Sequence, residues 1–179
     1  MSRTALIVEA PASATLAALR QKFAADARFD VPPHLTVLFP FMPAELLDDG
    51  VDNVLARTFR TVPQFDFSLT HTGWFGEEVL WLAPQSSAPF LDLTAAVVHA
   101  FPGYPPYGGQ YDGSVPHATV GDSGSYEELK QAVQTIEEEL PLSGTASAVV
   151  LLIEDSRGRW REERRFPLFE RDAAQDRTT

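Results

Sequence analysis

The same short frame occurs twice in this chain: Pro33-His34-Leu35-Thr36-Val37 and Pro116-His117-Ala118-Thr119-Val120. Proline favours extended backbone around it, and side chains of a strand alternate between its two faces. His34 and Thr36 therefore point one way, and Leu35 and Val37 the other. His117 and Thr119 point together in the same manner, opposite Ala118 and Val120. The apolar pair fixes each strand to a core, and the polar pair faces whatever lies on the other side. Two lobes that meet face to face bring two imidazoles and two hydroxyls to one cleft.

Around these frames the pattern reads β-α-β-α-β-β-α-β-α-β-β. Thr4 to Val8 predicts a buried strand. Ser13 caps a helix in which Leu16, Leu19, Phe23 and Ala27 recur every three or four residues, ending near Arg28. Pro43 opens a second helix with Val51, Leu55 and Phe59 on one face. Phe65, Phe67 and Leu69 alternate with polar residues, Gly73 to Gly76 signals a turn, and Val79 to Leu82 returns as the second strand of a hairpin. Pro89 to Phe101 is helical in pattern, and Pro102 to Gly109 is a tyrosine- and proline-rich loop. Ser125 caps a helix to Leu140, and Thr145 to Ile153 and Arg159 to Phe166 form a last strand pair. Each half thus offers a histidine strand, a helix and a hairpin. The prediction is an α+β domain of two similar lobes over residues 1–170, with a polar tail over 171–179. No glycine-rich phosphate loop follows the first strand, which argues against a dinucleotide-binding fold.

Composition narrows the partners. The 179 residues carry 14 Lys+Arg against 25 Asp+Glu, a net charge of −11. Such a surface repels polyphosphates, so duplex DNA is excluded as a partner while a small anionic substrate is not. There is no cysteine, which excludes disulfides, thiolate catalysis and zinc fingers and suits a reducing cytoplasm. No apolar run approaches the roughly 20 residues of a membrane span. A monomer without membrane association is the expectation.

The two histidine–threonine pairs suit a phosphodiester. Imidazole titrates near neutrality, so one copy can accept a proton while the other, cationic, donates one. Threonine hydroxyls can donate to nonbridging phosphate oxygens. Two histidines with two threonines lack the carboxylate or thiolate complement of usual metal sites, so neither metal nor other cofactor is expected.

On these residues the chain resembles the 2′-5′ RNA ligase-like branch of the two-histidine phosphoesterase superfamily. That family is marked by two His-x-(Thr/Ser)-x motifs, matched by His34-Leu35-Thr36-Val37 and His117-Ala118-Thr119-Val120. Leu80-Trp81-Leu82-Ala83-Pro84 and Tyr104-Pro105-Pro106-Tyr107-Gly108-Gly109 are also similar, and the likeness runs from about Thr4 to Phe169. The resemblance implies a bilobal α+β fold whose pseudo-twofold related sheet lobes flank a central cleft. It implies His34 and His117 as the acid–base pair, and Thr36 and Thr119 as phosphate binders. It also implies hydrolysis of cyclic phosphodiesters such as nucleoside or RNA-end 2′,3′-cyclic phosphates. The alternatives are 2′-5′ RNA ligation or 2′-5′ phosphodiester cleavage, and a non-catalytic nucleotide-binding module. Several relatives carry Arg or Tyr five residues after the second histidine; here that position is Asp122.

Trp74, Phe75 and Tyr107 are the candidates for stacking a base beside the groove, with Tyr111 in the same loop. His71 shares a face with Phe65, Phe67 and Leu69 and reads as a satisfied edge-of-core residue, and His99 reads as structural or exposed. The arginines from Arg157 to Arg165 alternate with carboxylates, which reads as a solvated hairpin laced with ion pairs. Glu137 to Glu139 reads as the solvent face and end of a helix.

Overall fold

Ser13 ends the first extended segment and starts the first helix, its Oγ accepting the Leu16 N–H at 3.0 Å. A computed structural model describes residues 2–110 and 113–170; Tyr111 and the tail over 171–179 lie outside the described residues. The strands are β1 (Thr4–Glu9), β2 (His34–Leu38), β3 (Phe65–Phe75), β4 (Val79–Pro84), β5 (Ala118–Gly121), β6 (Leu142–Ala146), β7 (Ala148–Glu154) and β8 (Trp160–Pro167). The helices are α1 (Ala14–Phe23), α2 (Asp49–Phe59), α3 (Ala88–Ala100) and α4 (Tyr126–Glu137).

Local chemistry sets several boundaries away from those expected. Helix α1 stops at Phe23, well short of Arg28, because the N–H groups of Asp122 and Ser123 both take the Phe23 carbonyl, at 2.9 and 2.8 Å. Helix α2 starts at Asp49 rather than after Pro43, because Asp48 supplies the cap and accepts the Val51 N–H at 2.8 Å. Ser125 and Glu128 close a reciprocal capping box at the start of α4. That helix ends at Glu137, and the acidic run beyond it is not idle solvent face. Glu137 accepts from the Thr72 hydroxyl at 2.8 Å, and Glu139 from the Ser13 and Thr15 hydroxyls at the start of α1.

All eight strands join one antiparallel sheet in the order β6-β3-β4-β5-β2-β1-β7-β8. Thr145 to Ile153 is not one strand. It breaks at Ser147 into β6, which pairs with β3, and β7, which pairs with β1. A single residue spans at most about 7 Å between its neighbours' Cα atoms. Six strand spacings of a flat sheet cover about 29 Å. The sheet is therefore strongly curled, and its two ends approach each other. The chain also closes this gap after β8, where Phe169 exchanges backbone hydrogen bonds with Val62 and Gln64 ahead of β3.

The lobes form by exchange. The hairpin β3–β4 follows the strand of His34 in sequence but packs beside β5, the strand that begins just after His117. The hairpin β7–β8 follows His117 but packs beside β1 and β2. Outward from the centre, β5-β4-β3-β6 mirrors β2-β1-β7-β8, the pseudo-twofold pair of lobes.

All four helices lie on one face of the sheet. Leu16 and Phe23, Leu55 and Phe59, Phe90 and Leu93, and Leu129 and Ile136 share one buried cluster with Leu35, Val37, Ala118 and Val120. Burial of such side chains contributes on the order of 1.5–3 kcal/mol each. The opposite face has its own small cluster, formed by Ala5, Ile7, Val150 and Leu152 with Val31, Phe39 and Trp160 packed on it. Among the described residues no helix is long and apolar enough to cross a membrane.

Candidate active site

The two motif strands are neighbours at the centre of the sheet, with Leu35 opposite Ala118. Both of these are fully buried, at 0% exposure, in the core under the helices. Their sequence neighbours must then project from the helix-free face. In an antiparallel ladder this register sets His34 opposite Thr119 and Thr36 opposite His117. His34, Thr36 and Thr119 thus share one face of two adjacent strands, with His117 on the residue just ahead of β5, Ile7 beyond Thr36 and Trp81 beyond Thr119. Neither threonine hydroxyl has a hydrogen-bond partner among the described residues, so both remain available to donate.

The histidines are held in the same way. His34 Nδ1–H donates to the Pro32 carbonyl at 2.8 Å, and His117 Nδ1–H donates to the Val115 carbonyl at 2.7 Å. A carbonyl only accepts, so Nδ1 carries the proton in both rings. In the neutral tautomer Nε2 is then the unprotonated nitrogen, the one able to take up a proton. The intervening Pro33 and Pro116 have no N–H and favour extended backbone at the residue before them, which presents that carbonyl to the ring.

The two rings differ in surroundings. Burial pushes His34 down from 6.5 to about 4, with the positive charge of Arg20 adding to the effect and that of His117 adding less. The Pro32 carbonyl and Asp26 pull in the opposite direction. Burial also lowers His117, opposed by its bond to the Val115 carbonyl. His117 is walled by aromatic rings. Phe75 meets it edge-on with centroids 4.9 Å apart, and Trp81 lies 5.9 Å away. Gly73 makes room for this wall, since a Cβ there would lie 2.3 Å from the Trp81 ring. That close approach, rather than a turn, is why glycine occupies this position of β3.

Of the expected stacking residues, Phe75 reaches the site and Trp74 does not. The sequence pattern puts both in a turn, but β3 continues through Phe75, so successive side chains point to opposite faces. Trp74 packs on the helix side, its ring 5.2 Å from that of Tyr126 in α4. Tyr107 sits in a short 3-10 turn, Pro106–Gly109, and its N–H donates to the Phe39 carbonyl at 2.7 Å. This docks the loop on the end of β2.

Beside His34 and Thr36 opens a cavity of about 360 Å³. Its walls include Ile7, Leu152, Phe39 and Trp160, with Arg3 and Glu154 at one side and Asp26 and Asp122 at another. His117 does not line it. Asp122 accepts the Ala25 N–H at 2.7 Å and so ties the end of β5 to the end of α1.

Arg20 is a site-supporting residue that the sequence pattern does not single out. It is 1% exposed and holds three separate segments. It donates to the Thr119 carbonyl at 2.6 Å, to Asp26 at 2.8 Å and to the Val31 carbonyl at 3.4 Å. Its legible signal is a charge within an apolar stripe, four residues after Leu16 and three before Phe23. Four of the five hairpin arginines, by contrast, are bound up in ion pairs: Arg159 with Asp30, Arg161 with Glu163, Arg164 with Asp52, and Arg165 with Glu9 and Glu162.

This two-lobed sheet with its helices on one face is the fold of known phosphoesterases. TT0787 of Thermus thermophilus superimposes with a TM-score of 0.61 at 20% identity, over 95% of this chain and 100% of that one. Apo LigT of E. coli gives 0.57 at 19% identity, over 94% and 98%. LigT complexed with 3′-AMP gives 0.55 at 17% identity, over 93% and 98%. By sequence, the chain belongs to the 2′-5′ RNA ligase superfamily, whose profile matches residues 8–158. That membership supports phosphoesterase- or ligase-type activity. No curated protein matches the chain.

Proposed function

We propose that the protein is a metal-independent phosphodiesterase that hydrolyses cyclic phosphodiesters, such as nucleoside or RNA-end 2′,3′-cyclic phosphates. The observation that carries this reading is the matched pair of imidazoles. Each has Nδ1 tied to a main-chain carbonyl, and each shares its face of the sheet with a free threonine hydroxyl. The 3′-AMP complex of LigT supports a site sized for a nucleoside phosphate.

His34 is pushed furthest toward the neutral form and acts as the base. Its Nε2 takes a proton from water as the water oxygen bonds to phosphorus. The bond from phosphorus to the leaving ribose oxygen breaks in line, and that oxygen takes the proton from His117 Nε2. Phosphate binding favours the cationic form of His117 that this step needs. Thr36 and Thr119 donate to the nonbridging oxygens, where charge builds. Each turnover leaves His34 protonated and His117 neutral, and exchange with water restores both.

The test is incubation with EDTA and nucleoside 2′,3′-cyclic monophosphates, followed by phosphorus NMR. Formation of a phosphomonoester, abolished in both His34→Ala and His117→Ala, supports the proposal. Turnover only of 2′-5′ linked oligonucleotides favours ligase-type transesterification. Binding without turnover favours a nucleotide-binding module.

A further inference from the structure

The cavity beside His34 also bears on which phosphoesters fit. Its floor is apolar, formed by Ile7 and Leu152 among others. Phe39 and Trp160 stand edge to face on it, with centroids 6.1 Å apart. The Arg3 guanidinium lies 5.8 Å from the Phe39 ring and 5.6 Å from the Trp160 ring. Its volume of about 360 Å³ is at the low end of small-molecule pockets. One flat organic group, on the scale of a nucleoside, suits these walls.

The charges are the informative part. Three carboxylates line the cavity, on Asp26, Asp122 and Glu154, against the single guanidinium of Arg3. That guanidinium is already held in a fork by Glu154, Nε to Oε2 at 2.7 Å and Nη2 to Oε1 at 2.6 Å. Asp26 is matched from behind by Arg20, while Asp122 receives a backbone N–H. Among the described residues no lining cation is therefore left for an incoming anion, apart from whatever charge His34 acquires. With Glu154 paired to Arg3 and Asp26 to Arg20, Asp122 is the lining carboxylate left without a cationic partner among the described residues, so a phosphate group entering this space meets a net negative lining in a half-enclosed site, where Coulomb repulsion is screened less than in water.

We propose that this cavity receives the uncharged organic part of a substrate bearing a single phosphorus, and that its carboxylates reject a second phosphate. The favoured substrate class is then a nucleoside cyclic monophosphate without a 5′-phosphate, rather than a polyphosphorylated nucleotide or an internal stretch of RNA. This inference rests on the proposed phosphodiesterase reading for its chemistry, but its test reads binding as well as turnover.

The experiment compares a nucleoside 3′-monophosphate with the 3′,5′-bisphosphate of the same nucleoside, by calorimetric titration at low salt. The expected result is at least tenfold weaker binding of the bisphosphate, with the gap narrowing as salt rises. In Glu154→Gln, Arg3 is released from its charged partner, and the gap should shrink several-fold. Trp160→Leu should weaken the nucleoside monophosphate while leaving glycerol 1,2-cyclic phosphate unchanged. Equal or tighter binding of the bisphosphate by the native protein overturns the inference, as does a gap unaffected by both salt and Glu154→Gln. Turnover of cyclic monophosphates tests the other reading. If it is absent while the binding preference holds, the phosphodiesterase assignment falls and the charge selection stands; if turnover is present without preference, the reverse is true.

Discussion

His34 stands across the central ladder from Thr119, the threonine of the other motif, and not from the second histidine. Each imidazole is thereby paired laterally with a hydroxyl from the opposite lobe. The phosphate site is a property of the strand pair, and neither lobe contains it alone. Replacing His34 or His117 by Ala should lower kcat by about 10²–10⁴, the usual contribution of general acid–base groups. Thr36→Val and Thr119→Val should lose activity mainly through kcat, while Thr→Ser at either position retains most of it. Because His34 and Thr119 act on one phosphorus, the double variant His34→Ala/Thr119→Val should be little worse than His34→Ala alone. Fully additive losses would contradict a common site.

The pH dependence follows from the directions of the two histidine shifts. His34 is neutral above about pH 4, and His117 holds its proton only below a value under its ordinary 6.5. The kcat/KM profile, which reports the free protein, should be a bell with its optimum between these limits. An optimum above pH 7 would contradict the assigned roles. Stability carries the same signature. Between pH 6.5 and about 4 the unfolded chain binds a proton at position 34 that the folded chain does not. Stability is therefore complete above pH 6.5 and falls as the pH drops to about 4, by at most about 3 kcal/mol from this group. Chemical denaturation at pH 7 and pH 4.5, compared with His34→Gln, measures it.

Much of this site is legible in the sequence because it depends on alternation within five residues. The Pro-His-x-Thr-Val frame specifies extended backbone, the apolar anchors and the polar face together. What escapes is set by partners far along the chain. Nothing local at Ser147 says that the chain leaves one end of the sheet and rejoins near the other. Nothing local says that each hairpin packs in the lobe opposite its own histidine strand. Gly73 reads as a turn because glycine is common there, and its true cause is an indole eight residues later in the sequence. Arg20 escapes because a helical pattern tallies apolar residues and treats a charge as surface, whereas the acceptors of this one come from three other segments.

Arg20 should prove a positioning residue. Arg20→Met leaves Asp26 in the cavity wall without its partner and frees the Thr119 carbonyl; breaking a fully buried pair typically costs about 3–5 kcal/mol, an upper bound here because Asp26 is partly exposed. It also removes a positive charge that lowers the pKa of His34. The acidic limb of the kcat/KM profile should therefore move to higher pH. Arg20→Lys keeps the charge and should hold the limb in place even if some stability is lost. A limb that moves equally in both variants would show that only packing is involved.

Trp74 and Phe75 are adjacent in β3 and should separate cleanly in their effects. Phe75→Ala removes a ring in contact with His117 and should change KM and the His117 titration, read by NMR, with a modest effect on melting. Trp74→Ala removes a half-buried ring packed between the sheet and α4 and should cost stability, by less than the roughly 3–5 kcal/mol of a fully buried ring, with the His117 titration unmoved in the folded protein. Exchange of these two outcomes would mean that the strand register of β3 is shifted by one residue.

Gly73 gives the most local test of the aromatic wall. In Gly73→Ala the new methyl would sit 2.3–2.6 Å from three atoms of the Trp81 ring, so the indole must move. Overpacking of this kind typically costs about 1–3 kcal/mol. The displaced indole presses toward Phe75 and His117, with which it is in ring contact. The variant should therefore lose activity out of proportion to its loss of stability. Trp81→Leu in the same background relieves the clash and should restore stability without restoring activity. If Trp81→Leu restores both, the indole serves only as packing and the wall around His117 has no part in the reaction.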